Sequence, residues 1–243
     1  MAKRVNAAEP CERLAWDSEF FGVETARVRG DSLTAERVKE IDSWCRARKV
    51  AWLYFLARAD DAETARCAQA GGFGLVDVRV TYEREISGKV KRPAGVEAFS
   101  DGDLPAILKI ARSGYSDSRF YCDGRIPKQT CDGFFENWTL QSCTGGADQV
   151  LVVREKKAVG YVTCHADGKT GLARIGLIAV AASARGKGVG GLLVNGALAW
   201  ASDEKLKGMT VVTQGRNLAA QRLYQRCGFI MQSLQLYYHK WYE

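Results

Sequence analysis

Apolar positions in the second half of the chain recur with two alternating periods. Leu104, Ile107, Leu108 and Ala111 fall at i, i+3, i+4 and i+7, which predicts a helix over residues 104–113. Residues 129–142, with Cys131, Phe134, Phe135 and Trp138 among their apolar positions, predict a second helix, and 114–128 between them reads as a loop with several aromatics. Val150-Leu151-Val152-Val153 predicts a strand, Glu155-Lys156-Lys157 a turn, and 159–165 and 172–180 two further strands. Helical spacing returns at Val189, Leu192, Leu193, Gly196, Ala197 and Trp200. A strand over 209–213, a helix over 217–227 and one or two strands over 229–241 complete the pattern. The order ααβββαβαβ(β) is that of an α/β or α+β domain of about 150 residues.

The segment 86–95 is polar and basic and carries Gly88, Pro93 and Gly95, so it reads as a linker. This sets a boundary near residue 90, with a small α/β domain over 1–90 and a larger one over 91–243. Residues 51–83 read as strand, helix, Gly-Phe and strand. A shift of 156 places Arg66, Gln69, Gly72, Phe73 and Tyr82 on Arg222, Gln225, Gly228, Phe229 and Tyr238. The N-terminal segment thus reads as a degraded copy of the C-terminal one, with Ala68 where the second copy has Tyr224 and no glycine-rich loop before it. The other reading is chance, because helix, Gly-Phe and strand is a common succession.

Composition narrows the classes. The 243 residues carry a net charge of +7, with 47% apolar and 26% charged residues, which excludes a disordered chain. The 25 glycines show no collagen period, and no heptad run is long enough for a coiled coil. The longest apolar uncharged stretch, 188–202, is broken by Gly191, Asn195 and Gly196 and is shorter than a bilayer span. Residues 1–10 hold no apolar core of a signal peptide, so a cytoplasmic protein is expected. The eight cysteines form no CxxC pair, and neither a disulfide framework nor a metal site is expected. The positive charge favours anionic small ligands, and the lack of a long basic run disfavours nucleic acid.

The strongest chemical signal is Arg185-Gly186-Lys187-Gly188-Val189-Gly190-Gly191, between a predicted strand and a predicted helix. Glycines let a backbone approach a phosphate, successive N–H groups point outward there, and the helix N-terminus adds positive potential. The loop lacks the GK[ST] ending of a Walker A sequence and sits too late for a dinucleotide fingerprint. Arg185-x-x-Gly188-x-Gly190 after Gly176-Leu177-Ile178-Ala179-Val180 resembles motif A of the GNAT N-acetyltransferases. Asn217, Ala220, Leu223-Tyr224 and Gly228-Phe229 resemble the second element of that family. The resemblance covers 93–243. It implies a mixed central sheet flanked by helices, with the N-terminal domain a degenerate half of the same fold, and acetyl-CoA as donor. It places the pyrophosphate on the amides of 186–191 and the pantetheine arm on Ile178, Ala179, Val180 and Asn217, with Ala220 and Tyr224 beside the cofactor.

The same resemblance makes Tyr224 the general acid for the leaving CoA thiolate; as an ordinary residue it would be an amphipathic core tyrosine. No Glu stands on the strand segment Ala173-Arg174-Ile175-Gly176, so the base is open among His165, Asp167 and a water chain. Leu14-Ala15-Trp16-Asp17-Ser18-Glu19-Phe20-Phe21-Gly22-Val23, Ser118-Arg119-Phe120, Val212-Thr213-Gln214 and Tyr237-Tyr238 further resemble the dTDP-fucosamine acetyltransferases of surface-polysaccharide synthesis. That resemblance implies a nucleotide-linked amino-dideoxy sugar as acceptor. Ser118, Arg119, Phe120 and Tyr121 are its candidate contacts, Arg119 for a diphosphate and Phe120 or Tyr121 for stacking. The alternatives are a GNAT enzyme for another small amine, antibiotic or protein N-terminus, and a CoA-binding sensor without catalysis. Exposed strands at the C-terminus would suit a homodimer.

Overall fold

The computed structural model describes residues 9–243. The expectation that no leader precedes the domain falls, for residues 1–8, outside them. The chain divides into two compact units, Met1–Arg79 with Leu234–Glu243, and Val80–Ser233. The division comes at residue 79 and not near 90, because the expected linker is tied down along the second unit. Ile86 N–H donates to Lys207 O at 2.9 Å, Val90 N–H to Ser202 Oγ at 3.1 Å, and Ser202 Oγ to Gly88 O at 3.1 Å.

The first unit runs β1 (Cys11–Arg13), α1 (Ala15–Phe21), β2 (Thr25–Val28), α2 (Ala35–Ala47), β3 (Trp52–Arg58), α3 (Ala62–Ala70) and the start of β4 (Gly74–Glu85), joined by most of β10 (Ile230–Trp241). Its strand order is β1-β2-β3-β10-β4, with β2 and β3 parallel and β3 and β10 antiparallel. The Trp16 to Gly22 segment is helical, closed by Gly22 in the left-handed region. The core lies between α2 (Val38, Ile41, Trp44, Cys45), β3 (Leu53, Phe55, Ala57), Phe73 and Tyr238.

The second unit holds β5 (Val96–Ala98), α4 (Leu104–Gly114), α5 (Arg119–Asp123), α6 (Lys128–Gln141), β6 (Gln149–Arg154), β7 (Ala158–Asp167), β8 (Leu172–Val180), α7 (Val189–Asp203), β9 (Gly208–Gln214) and α8 (Leu218–Arg226). Its strand order is β4-β9-β8-β7-β6-β5. β5 to β8 form an antiparallel meander, and α7 carries the crossover that makes β8 and β9 parallel. α7 is buried from Leu193 to Ala201 except at Asn195, which its apolar sequence there permits. The C-terminal strand is no free edge, since β10 pairs with β3 over 235–241; the argument from edge strands to a dimer therefore falls away. Among the described residues no helix is long and apolar enough to cross a membrane. All eight cysteines are free and five are buried.

The internal repeat extends to every element after the first strands. β3 and β9, α3 and α8, and β4 and β10 have the same lengths and lie 156 residues apart. The helix caps repeat as well: Asp61 accepts from Thr64 N–H at 3.0 Å, and Asn217 from Ala220 N–H at 3.0 Å. Phe73 N–H bonds to Ala68 O at 2.9 Å and Phe229 N–H to Tyr224 O at 3.0 Å, each after a glycine in the left-handed region. The first copy does contain a counterpart of the glycine loop. Arg29-Gly30 matches Arg185-Gly186, with φ of +86° at Gly30 and +76° at Gly186. Beyond that pair the sequence diverges to Asp31-Ser32-Leu33-Thr34, which hides the relation from a motif search.

Candidate active site

β8 is the strand on which the site is built. Its pairing with β9 ends at Ile175↔Val211, while its pairing with β7 continues to Val180↔Gly160. Beyond Ile175 one edge of β8 is therefore parted from its parallel neighbour. A bulge sits at the parting, where Gly176 and Leu177 together oppose Thr163. The buried Thr163 fills it, its Oγ1 accepting from Leu177 N–H at 2.8 Å. Ile178, Ala179 and Val180 form the parted segment, and Ala179 packs close to Gly114 at the end of α4.

The glycine loop follows directly. Gly186 and Gly188 have φ of +76° and +83°, conformations that exclude a β-branched residue, and a Cβ on Gly186, Gly188 or Gly191 would meet nothing within 4 Å. Gly188 caps α7, whose first internal bond runs from Leu192 N–H to Gly188 O at 3.1 Å. Helix geometry leaves the N–H groups of Val189, Gly190 and Gly191 emerging from this end. Arg185 Nε donates to Val180 O at 3.3 Å and fastens the loop to β8, while Lys187 is exposed. Gly190 has a different reason to be glycine: a Cβ there would stand 3.0 Å from Leu223 Cδ2, where α7 meets α8. The open loop and the helix end fit an anionic pyrophosphate.

α8 contributes Asn217, Ala220 and Tyr224. Asn217 Oδ1 is engaged by the Ala220 N–H, so only its NH₂ end remains to donate to a ligand. Tyr224 is 2% exposed, between the rings of Tyr82 and Phe229 at 6.0 Å each. Burial pushes its phenol well above the ordinary range. Three residues not singled out in the sequence join it. Tyr115 and Tyr161 share a hydroxyl hydrogen bond of 2.9 Å, and Tyr161 another of 2.8 Å with Thr139 Oγ1. Burial holds Tyr115 well above 10, reinforced by Tyr161 and Tyr224. Tyr115 and Tyr161 are 46 residues apart, so only the fold reveals the pair.

The acceptor-side candidates divide. Ser118 precedes α5, and its buried Oγ has no hydrogen-bond partner. The Arg119 guanidinium lies 4.1 Å from the centre of the Phe120 ring. Phe120 is 1% exposed and packed on Phe134 at 4.4 Å, so it offers no face for a base or sugar. The expected loop curls into α5 around that ring. Tyr121 is half-buried and donates to Asp132 Oδ1 at 2.6 Å. Arg216, in the turn before α8, donates to Cys122 Sγ on α5.

A parted parallel strand pair, a bulge at the parting and an open glycine loop are now in one place. The family model described as "Acetyltransferase (GNAT) family" matches residues 108–229, half of the chain. The chain belongs to the GNAT acetyltransferase family. As a GNAT protein it is an acyltransferase, and the family uses acetyl-CoA. A dTDP-fucosamine acetyltransferase of Escherichia coli is 29% identical over 91% of this chain and 94% of its own length. A spore coat polysaccharide biosynthesis protein of Bacillus subtilis is 29% identical over 58% of this chain, and the match spans about half (48%) of that relative's length. The crystal structure of a GCN5-related N-acetyltransferase from Sphaerobacter thermophilus covers 95% of this chain and is itself covered to 76%. It has a TM-score of 0.68 at 18% identity, a likeness of fold.

Proposed function

We propose that this GNAT enzyme acetylates the amino group of a nucleotide-linked amino-dideoxy sugar, of the dTDP-4-amino-4,6-dideoxyhexose type, for surface-polysaccharide synthesis. The reading of the donor side rests on one observation, the parting of β8 from β9 beside a glycine loop in which a Cβ on Gly186, Gly188 or Gly191 would meet nothing within 4 Å. The reading of the acceptor is supported by similarity to a dTDP-fucosamine acetyltransferase along nearly the whole of both chains. Acetyl-CoA supplies an acetyl group activated as a thioester.

The chain's own residues do the rest. The amides of 186–191 hold the pyrophosphate, and the parted edge of Ile178, Ala179 and Val180 holds the pantetheine arm. Fixing donor and acceptor together makes the attack effectively unimolecular. N–H groups on the parted edge of β8 stabilise negative charge on the carbonyl oxygen. Tyr224 donates a proton toward the departing sulfur. Ser118, Arg119 and Tyr121 are placed on the acceptor side, with Arg119 for the diphosphate.

The test is thiol release from acetyl-CoA with dTDP-4-amino-4,6-dideoxygalactose, its glucose epimer and simple amines compared. Fast release with one nucleotide sugar alone is expected. Release with simple amines only would retain acyl transfer and remove the sugar nucleotide.

A further inference from the structure

Acyl transfer to an amine needs a group that removes a proton first, because an alkylammonium has no lone pair to attack with. At the bulge, the Gly176 position of β8 supplies no side chain. The neighbouring strand fills that space. A Cβ on Gly176 would lie 2.5 Å from His165 Nε2 and 2.8 Å from Thr163 Oγ1, so the imidazole of His165 occupies the volume a β8 side chain would take. Tyr161, Thr163 and His165 alternate along β7 and share one face, the face on which Tyr161 meets Tyr115 and Thr139.

The Nε2 atom is buried and has no hydrogen-bond partner in the protein. A buried polar atom left in that state is destabilising, and a proton donor reaching it would remove that cost. Asp167 does not compete for the role. It stands at the exposed end of β7, where its Oδ1 accepts from Lys169 N–H at 2.9 Å.

Resting on the acyl-transfer reading above, we propose that His165 is the general base, accepting the acceptor's ammonium proton at Nε2 beside the Gly176 bulge. The charged groups acting on the imidazole are Arg174, its partner on β8, and Asp148, whose Oδ2 accepts from Ala166 N–H at 2.8 Å. Burial first, then Arg174, lowers the imidazole's pKa from its usual value, against an opposing pull from Asp148. Both effects favour the neutral ring, and in the tautomer protonated at Nδ1 the Nε2 atom carries a lone pair.

The protons balance as follows. R–NH₃⁺ gives one to Nε2. The amine forms the C–N bond and the C–S bond breaks, with Tyr224 protonating the sulfur. The nitrogen then releases its second proton to the Tyr224 phenolate, and His165 returns its own to solvent. The sum is amide, CoA thiol and one released proton.

The experiment compares wild type, His165→Gln and His165→Ala with dTDP-4-amino-4,6-dideoxygalactose, and follows the imidazole proton resonances of wild type by NMR with and without acetyl-CoA. The chain has two histidines, so His165→Gln assigns the signal. The expected result is a kcat about 100-fold lower in both variants, with little change in KM for acetyl-CoA. The acid limb of the pH–rate profile should be lost, and free imidazole should restore rate to His165→Ala but not to wild type. A rate within twofold of wild type with the acid limb retained would overturn the proposal. So would an NMR pKa above 7 in the acetyl-CoA complex. If wild type turns over none of the sugar nucleotide, the acceptor assignment fails, and an NMR pKa above 7 would still overturn His165.

Discussion

Tyr224 carries an electrostatic tension. A phenol of ordinary pKa lies near a thiol, and proton transfer between them is easy. Burial drives Tyr224 upward, away from that match. In the proposed acid role the group would be a firm hydrogen-bond donor that parts with its proton only as the sulfur acquires charge. Tyr224→Phe should lower kcat about 100-fold or more and leave acetyl-CoA affinity within about twofold, read by steady-state kinetics and calorimetry. With the phenol held above 10, the wild-type rate should show no basic limb from this group below pH 9. Gly188→Val should abolish measurable acetyl-CoA binding, because φ of +83° is closed to valine and the new side chain would project into the open loop. Wild-type affinity in that variant would remove the loop from the donor site. The helix that carries Tyr224 and the turn that carries the glycines were legible because a helix cap, a helical period and a glycine spacing are local. The burial of Phe120 was not, since an aromatic in a loop carries no sign of which way it faces. The meeting of His165 with Gly176 depends on strand register, which a sequence does not print.

At the level of elements, the long periodic helices and strands of the second unit follow their patterns to within a few residues. β5 and α5 escaped, because three and five residues are too few to show a period. β5 is held by a side-chain clamp. Arg154 donates to Asp103 through Nε at 2.7 Å and Nη2 at 2.5 Å, and also reaches Glu97 and Ala98 O. The Arg154 fork, helped by Ser100 N–H, holds Asp103 at about 2, below its ordinary 3.8. A lowered carboxyl pKa stabilises the fold above about pH 4 and loses that contribution as pH falls toward 2. The shift corresponds to about 2 kcal/mol near neutrality. Arg154→Met should therefore lower unfolding free energy by about that amount at pH 7, and the gap from wild type should narrow between pH 4 and pH 2 in denaturant titrations. On α5, Arg119→Ala should raise the sugar nucleotide's KM about tenfold or more with little effect on that of acetyl-CoA. Equal effects on both would argue against a diphosphate contact.

For the whole molecule, the repeat raises the question of how many donors one chain holds. The first copy retains the fold of the second but closes its loop from within. Asp31 stands where Lys187 stands, which reverses the charge offered to a phosphate. Leu33 N–H, the counterpart of Val189 N–H, donates to Thr64 Oγ1 at 2.8 Å, and Thr64 itself corresponds to Ala220. Calorimetric titration with acetyl-CoA should give one site per chain; two sites would mean that the first copy still binds.

The pairing of β10 with β3 also sets a timetable. Trp52 pairs with Trp241, so the first unit acquires one of its inner strands only when residues 235–241 have been made. At ribosomal speeds of about 5–20 residues per second, the N-terminal half waits roughly 10–40 s with β3 unpaired on that side. During that interval β3 presents an unpaired edge open to chaperones and to mispairing with other nascent chains. A chain that stalls before residue 235 would leave β3 without its antiparallel partner.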